Sequence, residues 1–401
     1  MRTIDMMRMS FFCIISIISY NRKMIKILEN VSLKPYSTMR TGGYARYFAI
    51  AKSDTEMIDI IKLYSENYLH NKSILIIGGG SNILFPDDTY NGLVIKNEIK
   101  YIKKVQDTKE TLGEYNYKDN ENSIYKYVSQ FVSLEVGAGV IWDELVAYTV
   151  DNEMYGLENL SYIPGTVGAA PIQNIGAYGV EVCEYIKEIK VYNIAKDKIE
   201  ILNNAQCDFS YRDSIFKRNK SLIILSVTFK LSKEKKFNLN YGSLKDLVEE
   251  SNKNTCGDNS LDLLTIRNKV IELRKSKLPE ISQIGNCGSF FKNPIIEKAL
   301  YNKLLSRWPD MPHYSTSENN MVKVPAGWLI EHIYNETKKK KESTSNEISE
   351  TQSVGLWPKQ NLAIVNNGDA TTNDILIFAK NIQDKIYKET NIFLELEVNV
   401  V

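Results

Sequence analysis

Seventeen consecutive residues, Ile163 to Gly179 (IPGTVGAAPIQNIGAYG), carry no charge and include four glycines, two prolines and three alanines. A stretch of this kind is built for close approach of backbone to something else. Glycine permits positive φ and leaves backbone N–H groups uncovered, so the segment can wrap an anionic or planar ligand where side chains would obstruct. It can equally form a tight, buried structural turn where two elements pack closely. From the segment alone both readings stand.

The rest of the chain sets the bounds. At 401 residues, 43% hydrophobic and 25% charged, the composition is that of a globular protein, and the length suggests two or three domains. Fifty basic against forty-nine acidic residues leave a formal charge of +1, too little to draw nucleic acid or an anionic membrane by net charge. Any anionic ligand has to be held locally. The five cysteines (Cys13, Cys183, Cys207, Cys256, Cys287) are odd in number, dispersed and free of a CxxC pair, which indicates a reducing compartment. His70, His313 and His332 have no second His or Cys at metal-ligand spacing, so neither metal chemistry nor a His-based nucleophilic triad is expected.

Phe11 to Tyr20 (FFCIISIISY) is an apolar run flanked by Arg2, Arg8, Arg22 and Lys23. It is too short to span a membrane and no A-x-A-like cleavage site follows, so residues 1–23 read as a non-essential extension ahead of a soluble domain opening at Met24. Ser73 to Ile77 is a short strand pattern leading into Gly78-Gly79-Gly80-Ser81-Asn82 and then Ile83-Leu84-Phe85. This lacks G-x-G-x-x-G spacing, and Pro86 follows where a helix would continue, so strand, glycine turn, strand is expected rather than a Rossmann fingerprint.

Further elements follow in order. A polar loop (103–126) precedes a strand at Val132–Val136, and Ile141–Val150 is patterned as an amphipathic helix. Strands are expected at 186–193 and 221–231, then a polar break at Glu249–Asn259 marks a candidate boundary before a helix over Leu263–Lys275. The charged stretch 336–353 reads as a solvated insertion, with a strand at Asn361–Asn366 beyond it. Thr372 or Asn373 can cap a helix whose apolar face runs Ile375, Phe378, Ala379, Ile382 and Ile386. In Leu394–Val400 apolar residues alternate with Glu395, Glu397 and Asn399, which puts both carboxylates on one face of a strand, normally the solvent face.

Five segments in fixed order carry a resemblance: GGGSNILF (78–85), GLENLSYIPGTVGAAPIQNIGAYG (156–179), YRDSIFK (211–217), GSFFKNP (288–294) and LELEV (394–398). With RKSKLP (274–279) and NYGSL (240–244), most of the chain from Met24 to Val401 resembles the UDP-N-acetylenolpyruvoylglucosamine reductase family, and its Tyr-bearing NYGSL segment is similar to the type I branch. The resemblance implies an α+β protein with a FAD-binding fold of the vanillyl-alcohol-oxidase (PCMH) type in two subdomains, 24–100 and 101–278. A C-terminal α+β substrate-binding domain over 279–391 and a terminal strand, 392–401, would follow. It further implies a cytoplasmic, monomeric oxidoreductase of peptidoglycan precursor synthesis. FAD is the bound cofactor, and NADPH and UDP-N-acetylglucosamine enolpyruvate the small-molecule partners.

Residue by residue, the resemblance implies catalytic roles for Arg212, Ser289 and Glu397. Hydride addition to an enol ether conjugated with a carboxylate pushes charge onto that carboxylate, which needs a cation and a proton donor. Arg212 would hold the carboxylate through its guanidinium fork, Ser289 would protonate the α-carbon and Glu397 would sit across the intermediate. Flavin contacts would come from Arg40 and Gly42, with Thr41 and Gly43 in the same segment. The others would come from Gly78, Gly79, Gly80, Ser81 and Asn82, and from Pro164, Gly165, Gly168, Ile175 and Gly176. Tyr178, Tyr241, Lys277 and Asn293 would hold the sugar nucleotide. The charged insertion departs from the family's Gly-rich segment ending in a Val-His pair and bears on substrate access. Another oxidase of the same fold, or a flavin-binding protein without catalysis, would share the glycine segments but not all three catalytic positions.

Overall fold

The computed structural model describes residues 15–20, 23–67, 73–105, 130–245, 261–316, 318–335 and 353–401. Most of the 103–126 loop, the 249–259 break, the insertion up to residue 352, His70, Cys13 and Cys256 lie outside the described residues.

The first layer is a five-stranded sheet in the order Ile15–Tyr20, Lys23–Ser32, Tyr44–Ala51, Tyr90–Asn97, Ile74–Ile77. The outer two strands run antiparallel, while the last three are parallel and need a crossover, supplied by helix Asp54–Asn67. Leu93, Val94 and Ile95 are all fully buried because both faces are covered: Leu93 and Ile95 meet the helix residues Met57, Ile60 and Ile61, and Val94 meets Phe48 and Phe85. Part of the expected extension belongs to this sheet, since Ile15–Tyr20 pairs along Lys23–Leu28 as an edge strand.

A second sheet, Lys198–Asn203, Ile186–Asn193, Leu222–Ser232, Phe131–Gly137, Ile102–Val105, is antiparallel throughout. Helix Trp142–Asp151 packs on it, with Trp142 donating its indole N–H to Leu160 O at 2.9 Å. The two subdomains meet where Tyr192, Ile223 and Leu225 enter the core of the first, and where Lys190 bridges Asp54 and Glu135 at 3.4 and 2.8 Å. Helix Leu263–Lys277 belongs here too: its Ile266 and Val270 bury against Leu244, and Arg267 pairs with Asp143 at 2.8 Å. The break at 249–259 therefore does not separate the two halves of the fold; the change of core comes after Lys277.

The third unit places strands Gly285–Ser289, Gln360–Asn366 and Val354–Trp357 in one sheet and Ile295–Glu297, Met321–Lys323 and Tyr314–Ser315 in another. Helix Thr372–Thr390 buries Ile375, Ala379, Ile382 and Ile386, with Phe378 packed against the same core. Its cap is Thr371, one residue before the expected Thr372: the Thr371 hydroxyl accepts from Asp374 N while the Asp374 carboxylate takes Thr371 N, a reciprocal box that a serine or threonine followed three residues later by an acid provides. Met39 and Leu84 from the first subdomain are part of this core, so the third unit is seated on the strand that follows the Gly78–Asn82 turn.

The expected strand over 394–400 is regular only at Asn399–Val400, which pairs with Ile83–Leu84. Before it the chain makes single bonds, Lys292 N to Glu395 O and Glu397 N to Phe290 O, both 2.9 Å. The two carboxylates do lie toward the same lysine, Lys292, but Glu395 is exposed and Glu397 is covered, contrary to a shared solvent face.

Candidate active site

Two glycine turns face one another across the subdomains. A Cβ on Gly78 would lie 2.2 Å from Thr166 Oγ1, and one on Gly79 would lie 2.9 Å from Gly165 Cα, so glycine is required for the loops to touch at all. Ser81 Oγ adds a bond to Pro164 O at 3.1 Å, and Asn82 binds Gln173 and Glu397 O. The tight-packing reading of the uncharged segment therefore holds at Gly165 and Thr166, and the backbone left bare belongs to the opposite turn. Among the described residues no acceptor is taken by the N–H groups of Gly79, Gly80 and Ser81, and a Cβ at Gly165 (φ +123°) would meet only Ser81 Oγ. Such uncovered amides at a turn form an anion cradle. Behind it Lys96, on the neighbouring strand, donates to Gly78 O at 2.9 Å; burial lowers its pKa, yet its charge lies directly under the turn. These residues fit a dinucleotide's pyrophosphate and the flat ring beside it.

Arg40 and Gly42 lie at the entrance to this region with φ of +61° and +118°. The Arg40 guanidinium is directed not at the glycine turn but at the carbonyls of Ile281, Ser282 and Gln283, at 2.9, 2.7 and 3.2 Å. Gly168 packs where a Cβ would strike Ala138, and Ile175 closes the segment by donating to Ala170 O, both serving the loop's shape. Gly176 begins a two-residue hairpin, Gly176–Ala177 with Val180–Glu181, turned by Tyr178 (φ +50°) and Gly179 (φ +80°). Positive φ at both central positions is the backbone twist that matches a hairpin.

Arg212 comes to that hairpin from the turn after Cys207, itself at φ +54°. Its Nε donates to Glu397 Oε1 at 2.7 Å, and its other nitrogens donate to Asn174 O (3.4 Å) and Gly176 O (3.1 Å). Both partners of the ion pair are covered, with 17% and 11% of side-chain area exposed. Asn174, fully buried, staples the two loops together by donating to Glu181 and Ser210 O. Burial pushes the Glu397 carboxyl up, against the opposing pull of Arg212 first and then Lys217 and Lys292. A guanidinium carries five N–H donors, of which three are engaged here, so two are left for a ligand.

Ser289 ends strand Gly285–Ser289, opposite Ala363, directly after Gly288 (φ +67°), beside which a Cβ would meet nothing. The next residue, Phe290, accepts Glu397 N, which places the serine and the carboxylate on adjoining segments. Tyr178 and Tyr241 meet edge to face at 5.9 Å, and Tyr241 hydrogen-bonds Tyr314, so a chain of tyrosines joins the second subdomain to the third unit. Asn293 accepts from Ala326 N at 2.9 Å and bonds Tyr211, while Lys277 is exposed at the end of its helix. The sequence reading missed Lys96, Asn174, Lys217, Arg274 and Tyr314. Arg274, four-fifths of a turn before Lys277 in RKSKLP, lies near Tyr178 and donates to Tyr162 O at 3.1 Å; the motif contained it, but nothing in one sequence marks which of its cations turns inward.

Opposed glycine turns between two α+β subdomains, with a third unit whose Glu397 reaches both Arg212 and Asn82, define an FAD-binding flavoprotein with a dedicated substrate domain. Residues 121–202 match the FAD binding domain profile, and residues 279–401 match the profile described as UDP-N-acetylenolpyruvoylglucosamine reductase, C-terminal domain. The reductase of that name from Amoebophilus asiaticus is 39% identical over 375 residues, 93% of this chain and 98% of that one. Its counterpart from Flavobacterium johnsoniae is 37% identical over 380 residues, 94% and 100%. The chain belongs to the UDP-N-acetylenolpyruvoylglucosamine reductase family. The crystal structure of the Thermus caldophilus enzyme shares the fold, with a TM-score of 0.56 at 20% identity over 94% of this chain and 99% of that one. No helix among the described residues is long and apolar enough to cross a membrane.

Proposed function

We propose that this chain reduces UDP-N-acetylglucosamine enolpyruvate to UDP-N-acetylmuramate in the cytoplasm, with NADPH as the reductant, as a step of peptidoglycan precursor synthesis. The observation that supports it most is the covered Arg212–Glu397 pair at 2.7 Å, which joins the second subdomain to the third unit beside the glycine turns. Bound FAD supplies hydride transfer between the nicotinamide and the enolpyruvyl carbon. Everything else falls to the chain's own groups.

Gly79, Gly80 and Ser81 offer amides to the pyrophosphate, with Lys96 beneath. Arg212, with two N–H groups free, takes the enolpyruvyl carboxylate bidentately and meets the charge that develops there. Glu397 holds Arg212 in place through their 2.7 Å ion pair and sits on the opposite side of the reacting carbon. The Ser289 hydroxyl, on an adjoining segment beside open space, delivers a proton to the α-carbon. Its high pKa is tolerable only because the acceptor is a strongly basic carbon. Tyr178, Tyr241 and Tyr314 cover the nucleotide and exclude water.

Ser289→Ala tests the assignment. Flavin reduction by NADPH should proceed at nearly the wild-type rate, while reoxidation by the enolpyruvyl nucleotide, followed anaerobically at the flavin absorbance, slows by at least about a hundredfold. Loss of the first step instead would remove Ser289 from the proposed role.

A further inference from the structure

The connection between the flavin subdomains and the third unit, Pro279 to Asn286, is gripped from two sides. From the first subdomain, Arg40 donates to the three carbonyls of Ile281, Ser282 and Gln283. Two residues earlier Thr38 links the glycine turn to the same stretch: its N–H and hydroxyl reach Gly80 O, the hydroxyl reaches Asn286 O at 2.7 Å, and its carbonyl accepts Asn286 N at 3.0 Å. From the second subdomain comes Tyr162, the residue immediately before the Ile163-Pro164-Gly165 loop. All of its polar groups are engaged: N–H to Asp143 Oδ1 at 2.5 Å, carbonyl from Arg274 Nε, and phenol to the Glu280 carboxylate at 2.8 to 2.9 Å.

Arg40 and Tyr162 are both non-glycine residues in the left-handed region, at φ +61° and +60°. A bulky side chain adopts that conformation only where surrounding bonds impose it. Here they do so on both sides of one connection, whose far end continues into Gly285–Ser289, three residues from Asn286 to the proposed proton donor. A flexible tether would need neither grip.

We propose that Tyr162 is a positioning residue: with Glu280, and opposite the Arg40 grip, it fixes the connection so that Ser289 stands at a set distance from the flavin loops. The proposal rests on the functional reading above for its catalytic consequence, but not for its structural one. Because Tyr162 and Glu280 are not among the residues proposed to bind the flavin or to react with the substrate, weakening their bond alters placement rather than chemistry. Misplacement of about 1 Å lowers a rate by up to a hundredfold, and loosening one of two grips corresponds to about tenfold.

Tyr162→Phe and Glu280→Gln each weaken only the phenol–carboxylate bond. Flavin content and the NADPH-driven half-reaction should match wild type, reoxidation by the enolpyruvyl nucleotide should slow about tenfold, and the double variant should be no worse than either single. Independently of turnover, the amides of Gln283, Ile284 and Asn286 should exchange with deuterium at least about tenfold faster, in the apoprotein as well. Unchanged exchange together with an unchanged second half-reaction would overturn the proposal. Equal slowing of both half-reactions with lost flavin would also overturn it, as the mark of general destabilisation. If wild-type protein is reduced by NADPH but ignores the nucleotide, the functional reading fails, and the exchange rates alone decide the grip.

Discussion

Arg212→Met is the perturbation whose magnitude the structure defines best. It removes a charge-assisted bond of 2.7 Å to Glu397, ordinarily about 1.5–3 kcal/mol, and two bonds to backbone carbonyls. It also leaves a carboxylate buried without its principal partner. Breaking a buried pair by removing one member costs about 3–5 kcal/mol; Lys217 and Lys292 still face Glu397, so the lower figure, about 3 kcal/mol, is expected near pH 8. The sign of the pH dependence follows from Glu397. Its carboxyl is already raised by burial, and Arg212 is the largest opposing influence, so the substitution raises it further. A raised acid binds its proton more tightly folded than unfolded. The stability it contributes is therefore complete at low pH and lost as pH climbs from the unfolded value, about 4.3, through the folded one.

Urea unfolding of wild type and variant at about pH 5 and about pH 8 reads this directly, with the midpoint shift interpreted only if the slope is unchanged. The deficit should be small at the lower pH and should widen at the higher. In Arg212→Met/Glu397→Gln the widening should vanish, because no carboxyl remains to titrate. A deficit equal at both pH values, or larger at the acidic one, would refute the idea that Arg212 chiefly serves to hold a buried carboxylate charged.

Two further outcomes are expected. Gly79→Ala forces a Cβ to 2.9 Å from Gly165 Cα, and backbone cannot yield as a flexible side chain could; purified protein should retain under about a tenth of the wild-type flavin, measured by absorbance ratio, and normal content would show that the two loops move apart freely. Deleting residues 1–23 strips the edge strand Ile15–Tyr20 from its neighbour but reaches none of the site residues, so turnover should be unchanged while the newly bared edge promotes association visible by size exclusion; a fall in kcat would connect that strand to the site.

What the sequence disclosed depended on whether the signal was local. Strand Ile186–Asn193 and helix Leu263–Lys277 were legible because their side-chain periods are written in adjacent residues. The turn at Gly78–Asn82 was legible because glycine and the following Pro86 exclude a helix. The polar break at 249–259 reflects polar composition, which marks solvent exposure and not a change of core, and only the packing of Ile266 and Val270 on Leu244 shows to which unit the following helix belongs. The terminal strand was over-read for a related reason: alternation predicts which way side chains point, but Glu397 is covered by Arg212, a residue 185 positions away.

The same distinction separates the glycines from the left-handed residues that are not glycine. Gly42, Gly165 and Gly179 announce positive φ by their identity. Arg40, Tyr162, Tyr178 and Arg212 sit in that region too, each at about 1–3 kcal/mol, yet nothing about an arginine or tyrosine advertises it. Their conformations are imposed by partners far off in the chain: Ile281 for Arg40, Glu280 for Tyr162, Asn159 for Tyr178, Glu397 for Arg212. Arg40, Tyr162 and Arg212 stand where one unit meets another, and Tyr178 packs on Tyr241, which reaches the third unit through Tyr314. Strain stored there is sustained only while the units are docked, so the energy that seats the third unit on the flavin subdomains also sets the backbone angles of the residues proposed to bind and position the substrate.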